Sequence, residues 1–141
     1  VTGVTTKAPS QNAVFDALAL KVDKTTWTDY SATSTIVGWS AFTQKNIWYK
    51  IIDGYMFIDF YLAGTSNSTS ITFTLPNNSA EGFSVFRPCG YSVNSGVASV
   101  NPSRVQIPTG TNVVTIVRDL SGNAWISFGV KEVAGQISFK I

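Results

Sequence analysis

From residue 36 to the C-terminus, the chain consists of short apolar segments separated by turn residues, and this pattern predicts an antiparallel β-sandwich or barrel. Asp53-Gly54 is a strong signal for a two-residue hairpin turn, and Ser121-Gly122-Asn123 indicates another turn. The predicted strands are residues 36–42, 47–52, 55–63, 70–75, 83–86, 97–100, 104–107, 113–118, 124–130 and 136–141. We therefore expect a mainly β fold of about eight to ten strands.

Alternation in the segment of residues 55–63 predicts which face of that strand is buried. One face carries Met56, Ile58, Phe60 and Leu62, which we assign to the core. The other face is unusually aromatic for a solvated strand, since it carries Tyr55, Phe57, Asp59 and Tyr61. We predict that Tyr55, Phe57 and Tyr61 form a trimer interface. Two alternatives remain, namely cover by another part of the same protomer and a platform on which sugars stack.

Residues 10–24 form the one segment with a sustained helical period. Ser10 is a good N-cap, and Phe15, Leu18 and Val22 follow at the spacing of a coiled-coil seam about two heptads long. We predict the end of a coiled-coil stalk, with these three residues in a trimer interface; an ordinary amphipathic helix on its own domain is the alternative. The predicted division is a stalk helix with its joint in residues 1–34 and a β-sandwich head in residues 35–141.

Four segments resemble the C-terminal regions of bacteriophage tail-fibre and receptor-binding proteins: TKAPSQNAVFDAL at residues 6–18, WYKIIDG at 48–54, FTLP at 73–76 and GQISFKI at 135–141. The resemblance implies a homotrimer with a jelly-roll-like head similar to the C1q and tumour-necrosis-factor folds. It also implies an upstream fibre shaft and an extracellular place on the virion. The expected partner is a host cell-surface glycan or outer-membrane protein.

The composition argues against most catalytic chemistry. The chain has no histidine, which removes histidine-based triads and nearly all catalytic zinc sites. Its single cysteine, Cys89, is expected to be a small buried apolar side chain. We predict no enzyme activity, no catalytic or metal-binding residues and no cofactor. A polysaccharide depolymerase using Asp59 with Asp119 or Glu132 is a less favoured alternative.

The charge pattern also limits the partners. The net charge is +2 and the ten basic residues are scattered, so no basic stripe indicates nucleic-acid binding. No apolar run reaches the length of a membrane span, and we expect no membrane insertion.

Receptor contacts are expected on the loops, because a sandwich holds its loops in place while they vary. Solvated turns are the alternative for each loop. The candidate receptor-binding residues are Asn67, Asn77, Asn78, Arg87, Tyr91, Asn94, Asn101 and Arg104. We therefore predict an adhesin head; a module that trimerises or caps a fibre without touching the receptor is the second function class.

Overall fold

The computed structural model describes residues 26–141, which fold into two antiparallel β-sheets. Among these residues, 55 % lie in strands and none lies in a helix, so the predicted mainly β sandwich is confirmed. The predicted stalk helix of residues 10–24, with Phe15, Leu18 and Val22, lies outside the described residues. Within residues 26–141 there is also no helix that could span a membrane.

Eleven strands are present in this part of the chain, and three of them have only two residues. Their bounds are β1 (Thr28–Asp29), β2 (Ile36–Val37), β3 (Trp39–Ile52), β4 (Tyr55–Ser66), β5 (Ile71–Thr74), β6 (Val85–Pro88), β7 (Tyr91–Asn94), β8 (Val97–Ala98), β9 (Arg104–Ile107), β10 (Val113–Val117) and β11 (Val130–Lys140). One sheet has six strands in the order β1-β3-β4-β11-β7-β8. The other has five strands in the order β2-β5-β10-β9-β6.

The core lies between the inner faces of the two sheets, and alternation along the strands produces it. On β4 the side chains of Met56, Ile58, Phe60 and Leu62 are buried, as predicted from the sequence. Ile71, Phe73 and Leu75 meet them from the five-stranded sheet, and the Phe60 and Phe73 rings lie 5.3 Å apart between centroids. Burying these side chains supplies the main stabilisation of the sandwich.

The β3–β4 hairpin forms as its sequence predicts. Asp53 and Gly54 both have positive φ angles, of 50° and 75°, as a two-residue turn requires at both positions. From this turn, pairing runs from Ile52 opposite Tyr55 to Trp39 opposite Ser66. The prediction of two separate segments, residues 36–42 and 47–52, was wrong: Gly38 separates β2 from β3, and β3 then continues through the polar stretch.

Two further strand predictions were wrong. Residues 124–129 are not a strand, although their apolar content suggested one. The Trp125 indole is instead buried and donates from Nε1 to the Ile116 carbonyl at 2.7 Å. The final strand was predicted at residues 136–141, but it begins at Val130 and pairs with β4 over its whole length. Strand β7, which pairs with Lys131–Ala134 of β11, was not predicted.

Candidate functional site

The outer face of the six-stranded sheet collects aromatic and polar side chains from separate strands. Register pairing places Lys50, Phe57 and Ser138 in one row across β3, β4 and β11. The next rows contain Trp48, Asp59 and Gln136, and then Asn46, Tyr61, Ala134 and Tyr91. Since alternate residues of a strand share a face, these side chains point away from the core.

The aromatic rings on this face remain accessible. Trp48 is 39 % exposed, while Tyr55 and Tyr91 are each 46 % exposed. Phe57 and Tyr61 are half-buried. The five-stranded sheet packs on the opposite, inner face, so no strand or loop among residues 26–141 covers these rings completely. Within residues 26–141, these rings therefore stay at least partly accessible.

Polar groups accompany the rings. The Tyr61 hydroxyl donates to Oε2 of Glu132 at 3.3 Å. Partial burial, together with the charge of Glu132, raises the pKa of Tyr61, so its hydroxyl stays protonated and able to donate a hydrogen bond. A flat ring beside fixed hydrogen-bonding groups suits a ligand that has both an apolar face and hydroxyl groups.

Two depressions open on this face. The larger, of about 310 Å³, is lined by Trp27, Lys50, Phe57, Ile58, Arg87, Gln136, Ile137 and Ser138. The smaller, of about 230 Å³, is lined by Asn46, Trp48, Asp59, Phe60 and Tyr61. Both contain an aromatic ring and at least one polar side chain. They adjoin one another, because Phe57 and Asp59 alternate along the same strand.

Predicted receptor residues are distributed over several places rather than one. Arg87 lines the larger depression, and Tyr91 stands on the outer face itself. Asn94 and Asn101 line another depression, of about 250 Å³, with Arg118 and Asp119. Asn67 follows β4, whereas Asn77 and Asn78 lie in the loop between β5 and β6; all three are exposed.

Two of the predicted receptor residues have structural contacts. Asn94 accepts a hydrogen bond from the Ile126 backbone through Oδ1 at 3.0 Å. The Arg104 guanidinium lies 5.3 Å from the Phe86 ring centroid and donates to the Leu120 carbonyl at 3.2 Å. These contacts fix the segment around residues 120–126.

Asp59 and Glu132 lie on neighbouring strands of the six-stranded sheet, and Asp119 lies after β10. Asp59 lies opposite Gln136, four residues along β11 from Glu132. Their Cα atoms are therefore roughly 14 Å apart at about 3.4 Å per residue. Asp119 accepts hydrogen bonds from Asn123 in a turn after β10, a strand of the other sheet. Residues 26–141 contain no cluster of three potential metal ligands.

Cys89 is buried, as the sequence predicts, and its thiol donates to the Ala134 carbonyl at 3.1 Å. Burial raises the pKa of this thiol, which keeps it protonated and weakly nucleophilic at neutral pH. It packs against the edge of β11 and takes no part in the outer face.

Six residues of the face were missed as site residues: Trp27, Asn46, Trp48, Lys50, Gln136 and Ser138. The alternation of Trp48 and Lys50 with buried Ile47 and partly buried Tyr49 was a usable signal for two of them. Comparison of the sequence with protein families and with curated proteins found no match. The geometry of this face is therefore the basis for proposing a function.

Proposed function

We propose that this protein is the head of a trimeric virion fibre and attaches to a glycan on the host cell surface through the outer face of its six-stranded sheet. The observation that carries this proposal is the row of accessible rings alternating with polar side chains. Trp48, Phe57 and Tyr61 offer flat apolar surfaces, and Asn46, Asp59 and Gln136 offer hydrogen-bonding groups between them. A jelly-roll-like path of the strands and an upstream shaft belong to the same proposal, as does the absence of enzymatic activity.

Sugar rings match this surface chemically. One side of a pyranose ring presents C–H groups that pack on an aromatic ring, while its hydroxyls both donate and accept hydrogen bonds. An isolated aromatic side chain in water gains nothing from its exposure, so several on one face favour a binding role. The strands also hold the side chains in fixed positions, which reduces the entropy lost on binding.

Replacing Trp48 with alanine should weaken glycan binding at least tenfold, because the ring supplies a large part of the contact area. The measurement is binding of the complete chain to a glycan array and to host cells. Phe83→Ala is the matched control, since Phe83 is 66 % exposed but lies outside the six-stranded sheet. Equal binding by the protein and by Trp48→Ala would contradict the use of this face.

A second candidate function is a module that trimerises or caps a fibre without receptor contact. It is favoured by the exposure of Tyr55 and the incomplete burial of Phe57 and Tyr61, since three copies around one axis would cover these rings. In that arrangement the outer face would be closed to glycans.

Both candidates are trimeric, so light scattering on a Phe57→Asp variant distinguishes them. A trimer should have a mass about three times 15.2 kDa. If Phe57 lies between copies, Phe57→Asp should convert the trimer to smaller species, because a buried unpaired carboxylate is strongly unfavourable. Asp replacement at the exposed Phe83 is the control. A trimer unchanged by Phe57→Asp places the contacts between copies elsewhere and leaves the outer face available.

A further inference from the structure

The larger depression on the outer face runs across three strands and has defined ends. Its floor is the row of Lys50, Phe57 and Ser138, which are register partners on β3, β4 and β11. Trp27, just before the edge strand β1, forms one end, and Arg87 of β6 forms the other. We call this depression the cationic groove. Its volume of about 310 Å³ lies at the lower end of the range of small-ligand sites.

Two cations and no carboxylate line the cationic groove. The Lys50 ammonium lies 4.8 Å from the ring centroid of Trp27 and 5.8 Å from that of Phe57. It is thus held near both rings by cation–π attraction. Neither Lys50 nor Arg87 forms a salt bridge with another residue of the described part of the chain. Asp59, the nearest acidic residue along β4, is in the next row and does not line the groove.

Arg87 retains most of its hydrogen-bonding capacity. Its Nη1 atom donates to the Phe86 carbonyl at 2.9 Å, and within residues 26–141 this is the only hydrogen bond that the guanidinium makes. A guanidinium has five N–H donors, so the remaining ones are available to an anion. Because such donors form paired bonds to carboxylate or phosphate oxygens, an accessible Arg beside an accessible Lys favours an anionic ligand.

The backbone of β11 adds further groups to the same groove. Strand β7 pairs with β11 only from Lys131 to Ala134. At the other end, the Lys140 carbonyl accepts from the Ala80 N–H at 2.9 Å, and the Lys140 N–H donates to Glu81 at 3.1 Å. Since backbone direction alternates along a strand, the N–H and C=O groups of Gln136 and Ser138 also point away from β4. Among residues 26–141 they have no backbone partner on that side.

These features together suit one class of ligand. From the rings, the two cations and the open strand edge, we propose that the cationic groove binds a saccharide unit that carries a negative charge, a carboxylate or a phosphate. The sugar ring packs on Phe57 and Trp27, the anionic group contacts Lys50 and Arg87, and Gln136 with Ser138 receives the hydroxyls. This assignment rests on the proposed function and specifies the chemistry of the glycan.

The test compares acidic and neutral oligosaccharides on the complete chain. The probes are uronic-acid, sialic-acid and sugar-phosphate oligosaccharides, with neutral glucose and galactose oligomers of the same length. At least one acidic probe should bind ten times more tightly than the neutral ones, and added salt should weaken the binding of this acidic probe. The bound class, carboxylate or phosphate, identifies the anionic group. No binding by any acidic probe would overturn the assignment.

The second part of the test removes the positive charges of the groove one at a time. Lys50→Met and Arg87→Met should each weaken the acidic probe at least tenfold, since charge-assisted hydrogen bonds are lost. Lys45→Met is the matched control, because its ammonium also lies near a ring, 5.8 Å from that of Phe42, but outside the groove. Unchanged affinity in both groove variants would overturn the assignment.

The proposed function and this assignment fail in different ways. Neutral glycans that bind through Trp48 regardless of Lys50 and Arg87 would overturn the anionic assignment and leave the attachment function standing. A protein that binds neither cells nor any glycan would overturn both.

Discussion

Replacing Gly64 with alanine is expected to lower the free energy of unfolding by about 3 kcal/mol. A Cβ atom at this position would overlap the carbonyl oxygen of Ala41 and lie 2.9 Å from the Cα of Phe42. Both neighbours are backbone atoms of β3, so no side-chain rotation can relieve the contact. The φ angle of Gly64, 156°, is also one that residues with a side chain rarely adopt.

The clash lies where the long hairpin is irregular. The pairing of β3 with β4 shifts register between Trp39 and Ala41 and again between Phe42 and Gln44, opposite Gly64. Such bulges bring two backbones unusually close, and glycine is the residue that permits it. Moving β3 away would disturb the pairing on both sides of the bulge.

Urea unfolding followed by tryptophan fluorescence measures the Gly64→Ala effect. Gly82→Ala is the matched control, since a Cβ there has no neighbour within 4 Å and its backbone is not in the left-handed region. We expect the control to stay within about 0.5 kcal/mol of the original protein. Similar stability in the two variants would mean that the strands are not packed so closely at the bulge.

How much of the fold the sequence could predict depended on how regular each segment is. Strict alternation correctly placed Met56 and Phe60 in the core, and Asp53-Gly54 correctly located the hairpin turn. Alternation is a local property, and a buried face requires it, so such segments are predictable without knowledge of their partners.

Segments without alternation depended on contacts that the sequence does not display. Strand β7 has a polar inward side chain, Ser92, whose hydroxyl is buried and bonded to Ser103 at 2.8 Å. A buried serine interrupts the apolar pattern that marks a strand. The opposite error occurred at residues 124–129, where buried Trp125 and 67 % exposed Phe128 gave strand-like apolar content without a strand partner.

The candidate site was also predictable only where it depends on alternation along one strand. The anomalous aromatic face of β4 followed from the sequence, because Tyr55, Phe57 and Tyr61 alternate with core residues. The cationic groove did not follow from the sequence, since Trp27 and Arg87 are 60 positions apart. Trp27 lies just before a strand of the six-stranded sheet, whereas Arg87 lies in a strand of the five-stranded sheet. Only the approach of β6 to the open edge of β11 brings Arg87 beside Phe57.

The second large effect is expected from Lys131→Met, because Lys131 is a fully buried cation that connects two segments. Its Nζ donates to the Ser68 carbonyl at 2.6 Å and to the Gly38 carbonyl at 3.3 Å. Methionine has a similar length but no donor, so the Ser68 oxygen would keep only the Ser66 hydroxyl at 3.4 Å and the Gly38 oxygen only the Asn67 N–H at 3.3 Å. We expect a loss of about 2 kcal/mol in the free energy of unfolding at pH 7. Lys45→Met, on an accessible part of β3, is the control.

This loss should increase with pH, because burial disfavours the ammonium of Lys131 relative to the neutral amine. Burial lowers the pKa of Lys131 from 10.5 to about 8. Between pH 8 and 10.5 the unfolded chain therefore holds a proton that the folded protein has released, so folding gains stability as the pH rises. Lys131→Met cannot make this gain. The raised pKa values of Tyr61 and Cys89 act in the opposite direction, but they are present in both proteins and cancel in the difference. Urea unfolding at pH 7.5 and pH 10 should thus show a larger gap between the protein and the variant at the higher pH. A gap that does not change would mean that Lys131 keeps its ordinary pKa in the folded protein.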